Sequence, residues 1–214
     1  MSSRFHWSTF DVSKSLPSGW EQDVRAAAGA ADVREFPRTP VLSREGPEVL
    51  SIHRGRVHAD QVRQRLPWLY QSYRGAFLEL AGEACAEPVM AARDDRYGAV
   101  LNVQYGTTMR FECHVDSNPL SGILFCTDHA EGGELVVAHD ATATDILAVD
   151  RDCSVIKPRA GYLVFFDGRR HPHYARPLTV SSDMRIIAVM NFYTESSPES
   201  ARPRELNKHL YGDD

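Results

Sequence analysis

Long apolar runs are missing from this sequence. No stretch approaches the roughly 20 apolar residues that a membrane-spanning helix requires. The first residues, MSSRFHWSTFDVSKS, contain no apolar core of the kind that a secretory signal peptide carries. We therefore expect a soluble, cytoplasmic protein with no membrane among its partners.

An excess of basic residues is also missing. The chain has 24 Lys and Arg against 29 Asp and Glu, which gives a formal net charge of -5 at pH 7. Proteins that bind a nucleic-acid backbone usually present a positive patch or stripe. The charge balance therefore argues against nucleic acid as a partner.

Cysteine is scarce, with four residues at wide and irregular spacing: Cys85, Cys113, Cys126 and Cys153. No CxxC pair is present, which excludes the usual zinc-ribbon and redox motifs. We expect these side chains to be reduced, mostly buried thiols.

The chain changes texture twice, and we expect the three parts to form one integrated domain. Residues 1–95 mix short apolar runs with prolines and then show apolar residues at helical spacing, which predicts an irregular and helical support region. Pro67 should split the helical stretch into two helices. Residues 96–195 should form the catalytic core. Residues 196–214 are polar and contain proline, so we expect a tail that is either on the surface or disordered.

The middle part contains eight candidate strands, rich in β-branched and aromatic residues and separated by Gly, Pro, Asp and Asn. They run near Ala99–Tyr105, Met109–Asp116, Gly122–Thr127, Glu134–Ala138, Ser154–Lys157, Tyr162–Phe166, Tyr174–Leu178 and Arg185–Tyr193. Many short strands preceded by helices predict a mainly β fold. The expected architecture is a double-stranded β-helix, the cupin-like jelly roll, with helices packed on one outer face.

One candidate strand carries a histidine and a carboxylate two residues apart. His114 and Asp116 should project to the same side, because side chains alternate along a strand. A second imidazole would complete a two-histidine, one-carboxylate triad, which binds iron(II) and leaves coordination positions open. The distal segment HPHYARP offers both His171 and His173. These two share strand parity, so spacing does not choose between them.

Short motifs around these residues follow a recognisable order. They are NVQYGTTMRFECHVDSNP from residue 102, EGGEL from 131, IKPRAGYLVFF from 156, HPHYARP from 171 and RIIAVMNFY from 185. In order and spacing this set resembles the Fe(II)/2-oxoglutarate-dependent dioxygenases of the prolyl-hydroxylase-like superfamily. The resemblance covers residues 99–193, close to half of the chain.

The resemblance implies a ligand set and cofactors. Family members commonly carry a proline four residues after the distal histidine, and Pro177 stands four residues after His173. The implied metal ligands are therefore His114, Asp116 and His173, with iron(II) as the metal and 2-oxoglutarate and O2 as co-substrates. Halogenating relatives replace the carboxylate ligand by a small residue, but Asp116 is present here. Hydroxylation of an unactivated C–H bond, with release of succinate and CO2, is the expected outcome.

The same resemblance implies two co-substrate residues. Arg185 stands where the family places the cation that binds the distal carboxylate of 2-oxoglutarate. It opens a strand whose other residues on the same face are mostly apolar, so its charge requires a buried partner. Tyr105 matches the family's tyrosine ahead of the HxD motif, so it either donates its hydroxyl to the co-substrate or serves as a core aromatic.

Charged residues beside the metal motif suggest the substrate class. Arg110 and Glu112 share the parity of the HxD pair, so they could bind the carboxylate and ammonium groups of a free amino acid, or pair with each other at the rim. Asn118 and Asn191 are further candidates for polar substrate contacts. We favour hydroxylation of a small molecule such as an amino acid or a related metabolite. Two alternatives remain open: a hydroxylase of a peptidyl residue such as proline, and a non-catalytic jelly-roll metal-binding or sensor protein.

Overall fold

Two antiparallel β-sheets face each other in the computed structural model of this chain, which describes residues 6–39 and 41–211. Its strands, in chain order, are β1 (Trp7–Asp11), β2 (Asp32–Pro37), β3 (Ser51–Val57), β4 (Val89–Ala91), β5 (Ala99–Tyr105), β6 (Phe111–His114), β7 (Leu120–Phe125), β8 (Leu135–Ala138), β9 (Cys153–Ile156), β10 (Tyr162–Phe166), β11 (His173–Ala175) and β12 (Met184–Thr194). The larger sheet has the order β1-β10-β7-β12-β5-β3-β2, with β4 beside β12, and the smaller sheet has the order β6-β11-β8-β9. This is the predicted jelly roll, and each of the eight predicted strands is present with its ends shifted by at most three residues.

The N-terminal region contributes more strand than the sequence predicted. β1, β2, β3 and β4 all lie within residues 1–95, which we expected to be irregular and helical. β1 pairs with β10 along its whole length, and β3 pairs with β5, so this region extends both edges of the larger sheet. These strands were not predicted because β1, β2 and β3 are rich in polar residues and β4 has only three residues, while the partners of β1 and β4 lie far away in the sequence.

Helices cover one outer face of the larger sheet, as predicted. They are α1 (Trp20–Ala28), α2 (Ala59–Arg65), α3 (Pro67–Arg74) and α4 (Ala76–Ala84). Pro67 begins α3 at a position where its missing N–H leaves no helical hydrogen bond unmade. Gly75 adds a second break, between α3 and α4, that the sequence analysis did not predict. Across the described ranges, no helix is both long and apolar enough to cross a bilayer.

Two further helices lie outside this layer. The first, α5 (Ile146–Arg151), packs against β8. The second, α6 (Arg204–Tyr211), falls in the segment for which we expected a surface or disordered tail. Its Leu206 is only 5% exposed, and Nε2 of His209 donates to the carbonyl oxygen of Pro37 at 3.2 Å. Leu206 and Leu210 are four residues apart and share one face of the helix, which is a weak amphipathic signal within a polar segment.

Side-chain alternation divides the central strands β5 and β12 between two environments. One set of side chains, including Leu101 and Met190, packs against the helices in the main hydrophobic core. The opposite set, including Ile187 and Val189, faces the space between the two sheets. Polar residues of this inward set are therefore the ones that the fold places in an enclosed site.

All four cysteines are free thiols. Cys113 and Cys126 are buried, and Cys85 and Cys153 are half-buried. Burial raises the pKa of the Cys113 and Cys126 thiols to about 12, so both stay protonated at neutral pH.

The hydroxyl of Tyr73 joins the helical layer to the site-bearing strand β12. It donates to the carbonyl oxygen of Asn191 at 2.7 Å and accepts from the backbone N–H of Ala92 at 2.7 Å. Tyr73→Phe removes both of these bonds and leaves the two backbone groups only their longer mutual hydrogen bond of 3.4 Å, so we expect it to lower the free energy of unfolding by about 1 to 3 kcal/mol. Tyr70→Phe is the matched control, because its hydroxyl binds Asp95 in an exposed position, and should change stability by no more than about 0.5 kcal/mol. Urea unfolding measures both, and equal losses would contradict this account.

Candidate metal centre and active site

Three side chains, two from neighbouring strands of the smaller sheet and one from the segment that follows β6, meet between the sheets. His114 ends β6, Asp116 follows two residues later, and His173 begins β11 directly opposite His114 in the strand register. One potential ligand atom from each residue lies within 4.8 Å of the other two. Nε2 of His114 is 3.2 Å from Oδ1 of Asp116, and Nε2 of His173 is 3.5 Å from Oδ2.

Both histidine rings are oriented by the main chain. Nδ1 of His114 lies 2.7 Å from the carbonyl oxygen of Glu112, and Nδ1 of His173 lies 3.0 Å from the carbonyl oxygen of His171. A carbonyl oxygen only accepts, so Nδ1 carries the hydrogen in each neutral ring. The lone pair of each Nε2 is thereby left to face Asp116, which is the tautomer that a metal ligand needs.

Asp116 is held in place through both its side chain and its main chain. Ser121 donates its hydroxyl to Oδ2, and the backbone N–H of Asp116 donates to the carbonyl oxygen of Gly168 at 2.8 Å. A Cβ atom on residue 168 would collide with this carboxylate and with the Ser121 hydroxyl, so glycine is required there for close approach. Burial alone would raise the pKa of Asp116, but His173, His114 and the Ser121 hydroxyl hold it below its usual value. Asp116 is therefore a carboxylate anion that can bind a cation.

Burial acts in the opposite direction on the distal histidine. It lowers the pKa of His173 to about 4, so its imidazole is neutral at physiological pH. A neutral imidazole beside a carboxylate is the protonation state required for coordination.

A fully buried arginine lies in the same cavity as these three residues. Nη1 of Arg185 donates to Oε1 of Gln104 at 2.8 Å, while its Nε and Nη2 have no hydrogen-bond partner among the described residues. Burial lowers the pKa of this guanidinium to about 9. Gly133, at a φ of 70°, passes so close that a Cβ atom there would lie 2.8 Å from Cδ of Arg185. The glycine turn of the EGGEL motif thus leaves room for the arginine stem, and the guanidinium keeps donors available for an anion.

Two cavities meet at the triad formed by His114, Asp116 and His173. We call them the inner cavity and the outer cleft. The inner cavity is lined by the triad together with Arg185, Phe166, Ile187 and Val189. The outer cleft leads to the surface and is lined by His114 and Asp116 together with Thr39, Leu42, Arg54, Arg56, Glu112, Asn118, Asn191, Arg202, Leu206 and Leu210. Asn102, Phe111 and Val189 line both, at the junction.

Comparison with protein families decides the identity of this arrangement. Residues 100–193 match the family model of the 2OG-Fe(II) oxygenase superfamily, and this segment contains the triad, Arg185 and Gln104. The matched segment, which carries the candidate site, belongs to this superfamily. The oxygenase is therefore a 2-oxoglutarate-dependent non-haem iron enzyme, with iron(II) as its metal and 2-oxoglutarate and O2 as co-substrates. No curated protein sequence matched it significantly.

Solved structures share its fold at low sequence identity. An oxidoreductase of the 2OG-Fe(II) oxygenase family from Burkholderia pseudomallei is 13% identical with a TM-score of 0.61, covering 94% of this chain and 90% of that one. The non-haem α-ketoglutarate-dependent epimerase SnoN from nogalamycin biosynthesis is 12% identical with a TM-score of 0.66, covering 99% and 85%. HygX from Streptomyces hygroscopicus, solved with nickel and 2-oxoglutarate bound, is 11% identical with a TM-score of 0.58, covering 89% and 84%. At such identities the likeness shows the fold alone.

His171, the alternative distal histidine, lies outside the triad of the oxygenase. Its Nδ1 is 2.9 Å from the carbonyl oxygen of Ala138, and its ring packs edge-on against His6. It precedes β11 rather than belonging to it, so the strand parity that made it equivalent to His173 does not apply.

Tyr105 does not reach the co-substrate region, and of the two roles predicted for it the structure shows the core aromatic. It belongs to the set of β5 side chains that packs against the helices, with its hydroxyl 3.5 Å from the carbonyl oxygen of Ala28. Its neighbour Gln104 faces inward instead and binds Arg185. Gln104 also donates to the carbonyl oxygens of Met109 and Arg176, which fixes its amide in this orientation.

Arg110 was wrongly predicted to face the substrate. Its guanidinium makes a bidentate ion pair with Glu45, at 2.6 and 3.0 Å, and Glu45 also accepts from the backbone N–H of Cys113 at 2.6 Å. The pair fastens the loop between β2 and β3 onto β6. The parity argument failed because the pairing of β6 with β11 shifts register between Phe111 and His114. Such a shift breaks the two-residue alternation.

The other predicted substrate residues do line the outer cleft, but their polar groups are largely engaged. The carboxylate of Glu112 accepts from the backbone N–H of Thr39 at 2.9 Å and from its hydroxyl at 3.3 Å, and does not pair with an arginine of its own strand. Asn118 donates to Ser121 at 2.8 Å, so it orients the residue that holds Asp116. The side-chain amide of Asn191 donates to the carbonyl oxygen of Tyr97 at 2.6 Å.

Sequence reasoning missed several residues of the oxygenase site. Asn102 and Gln104 have the correct parity in β5, and the register of β5 with β12 places Gln104 opposite Arg185. Their alternation along β5 indicates that both face inward, but the sequence does not show that β5 pairs with β12. Arg56 and Arg202 come from β3 and from the C-terminal segment, and no local pattern connects them with the triad.

The choice of distal ligand can be tested by metal binding. His173→Ala removes one of three candidate ligands, so we expect its affinity for iron(II) to fall by more than about 100-fold. This exceeds the loss usually caused by removing a residue that only hydrogen-bonds to a metal ligand. His171→Ala is the matched control and should bind iron(II) like the parent protein. Anaerobic equilibrium dialysis measures both affinities. The reverse result, with iron lost only from His171→Ala, would transfer the ligand role to His171.

Proposed function

We propose that this oxygenase hydroxylates an unactivated C–H bond of a small molecule, such as a free amino acid or a related metabolite. The observation that carries the proposal is the triad standing beside a fully buried arginine with unpaired donors. The two halves of this arrangement suit an iron(II) ion and a dicarboxylate co-substrate in one cavity.

The triad supplies the donor set that the metal requires. Two imidazole nitrogens and one carboxylate form the facial set of non-haem iron(II) oxygenases, which leaves coordination positions for co-substrate and O2. In our proposal His114, Asp116 and His173 hold the ion, with Ser121 and Gly168 keeping the carboxylate in place. When bound, iron with 2-oxoglutarate supplies the oxidising chemistry and releases succinate and CO2.

Arg185 suits the distal carboxylate of 2-oxoglutarate. A guanidinium binds a carboxylate through two parallel hydrogen bonds, and its Nε and Nη2 are two adjacent donors with no partner among the described residues. Gln104 occupies Nη1 and so restricts the anion to the remaining edge. Burial destabilises the charged form of Arg185 and lowers its pKa to about 9. A carboxylate bound beside the guanidinium would stabilise the charged form again.

The shape of the outer cleft favours a small molecule over a peptide. The loop between β2 and β3 contributes Thr39 and Leu42 to its lining, while α6 contributes Leu206 and Leu210. A concave site lined by several elements encloses a compact ligand, whereas a peptide must run past the iron with both ends free.

The reaction itself provides the test. With iron(II), ascorbate and 2-oxoglutarate, free amino acids and related metabolites are screened for stimulated succinate formation and for a product one oxygen atom heavier by mass spectrometry. Stimulation by such a compound supports the proposal. Stimulation only by peptides would make the chain a peptidyl hydroxylase, and a complete lack of 2-oxoglutarate turnover would contradict catalysis.

Arg185 gives a prediction that needs no knowledge of the substrate. Arg185→Gln should weaken 2-oxoglutarate binding by about 2 to 5 kcal/mol, because it removes the charged partner of a desolvated carboxylate. Arg185→Lys keeps the charge but loses the bidentate geometry, so its affinity for 2-oxoglutarate should lie between those of the parent protein and Arg185→Gln. Arg176→Gln is the matched control, since Arg176 pairs with Asp150 in an exposed position. Anaerobic calorimetry on the metal-loaded protein measures the affinities, and an unchanged value for Arg185→Gln would place the carboxylate elsewhere.

A further inference from the structure

The helix α6 forms one wall of the outer cleft. Leu206 and Leu210 of this helix line the cleft together with His114 and Asp116 of the triad. Leu206 is buried, although most residues of the helix are polar. The apolar side of α6 is therefore turned toward the opening through which a solute reaches the triad.

The opposite wall of the cleft is fastened to β6 by the main chain. It includes Leu42, in the loop between β2 and β3. The carbonyl oxygen of Leu42 accepts from the backbone N–H of Val115 at 2.9 Å, and the backbone N–H of Arg44 donates to the carbonyl oxygen of Cys113 at 2.6 Å. These bonds fix this wall to the smaller sheet.

The segment that leads into α6 is also fixed. Glu199 accepts from the hydroxyl of Tyr97 at 2.7 Å and from the backbone N–H of Arg93 at 2.9 Å. Arg202 follows, with its guanidinium 4.0 Å from the ring centroid of Tyr97 and its Nη1 donating to the hydroxyl of Ser117. The chain is thus anchored beside the metal-bearing loop as far as Arg202.

The helix itself is attached to the rest of the protein through its side chains. Leu206 packs into the cleft, and Oδ1 of Asn207 accepts from Nε of Arg202 at 2.8 Å. Nε2 of His209 donates to the carbonyl oxygen of Pro37 at 3.2 Å in an exposed position. A helix of eight residues is not stable on its own, so α6 depends on such contacts to stay folded and in place.

The two kinds of attachment meet around Pro203. This residue lies between the anchored Arg202 and Arg204, where α6 begins. An element that opens while its base stays in place turns about a few residues at such a junction. Local opening favours elements with few buried contacts and exposed hydrogen bonds. Of the walls compared, α6 is therefore the one that can open at the least cost.

We propose that α6 is a hinged lid over the outer cleft, which turns about residues 202–204 and controls the passage of co-substrate and substrate to the triad. In the closed position Leu206 and Leu210 form the apolar part of the wall that a bound substrate meets. Closure would also keep water away from the site during turnover. The proposal deepens the proposed function and rests on it.

Binding kinetics test the lid with a known solute, 2-oxoglutarate. Leu206→Asn removes the buried apolar contact of the closed position. Glu205→Asn is the matched control, because Glu205 is an exposed residue of the same helix that does not line the cleft. Leucine and glutamate have similar helix propensities, so both variants weaken the helix alike. Anaerobic stopped-flow mixing of the iron(II)-loaded protein with 2-oxoglutarate measures the association rate, and dilution of the complex measures the dissociation rate.

We expect the association and dissociation rates of Leu206→Asn to rise together by at least five-fold. A lid that is open more often speeds both directions and leaves the equilibrium affinity for 2-oxoglutarate unchanged, because the bound ligand does not contact α6. Glu205→Asn should keep both rates within two-fold of the parent values. Unchanged rates for Leu206→Asn would overturn the proposal. A weaker equilibrium affinity would overturn it too, since it would show that α6 shapes the site instead of gating it.

Amide hydrogen exchange of the protein without ligands tests the hinge independently of the proposed function. Leu206→Asn should exchange at least five-fold faster than the parent protein in residues 204–211, while residues 194–201 and 41–45 keep the parental rates. Equally faster exchange in all three segments would overturn the lid, because the fixed walls would then move with the helix. Failure of the iron-loaded parent protein to bind 2-oxoglutarate would count against the proposed function alone, since the exchange result does not depend on it.

Discussion

The antiparallel pairing of β6 with β11 sets the geometry on which the site depends. It places His173 opposite His114, and a carbonyl two residues before each histidine fixes the ring through Nδ1. Main-chain bonds therefore direct both Nε2 atoms at Asp116. Ser121 and Gly168 then only need to hold one carboxylate, so a small number of local contacts is enough to keep three side chains preorganised.

Side-chain alternation along β5 and β12 separates the site from the hydrophobic core. The side chains that face the helices supply hydrophobic stability, and those that face inward carry Asn102, Gln104 and Arg185. Burying a guanidinium with a single hydrogen bond is costly unless a partner arrives. A dicarboxylate co-substrate would supply that partner. Its carboxylate would offset the desolvation penalty of the buried guanidinium, which favours binding of the co-substrate.

Residues that share one regular strand could be predicted from the sequence, because a period of two is a local property. The inward face of Arg185 follows from it, and the same period predicted the grouping of His114 with Asp116, although β6 ends at His114. The co-substrate role of Tyr105 failed because a motif position does not say which face a side chain takes, and Arg110 failed because a register shift in β6 interrupts the period. Arg56 could not be found at all, since only the pairing of β3 with β5 brings it to the cleft.

The most direct test of this account is a crystal structure of the oxygenase grown without oxygen in the presence of iron(II) and 2-oxoglutarate. We predict iron bound by Nε2 of His114, Nε2 of His173 and the carboxylate of Asp116, with the distal carboxylate of 2-oxoglutarate on Nε and Nη2 of Arg185. Iron held by other side chains, or a co-substrate carboxylate bound by Arg56 in the outer cleft, would contradict it.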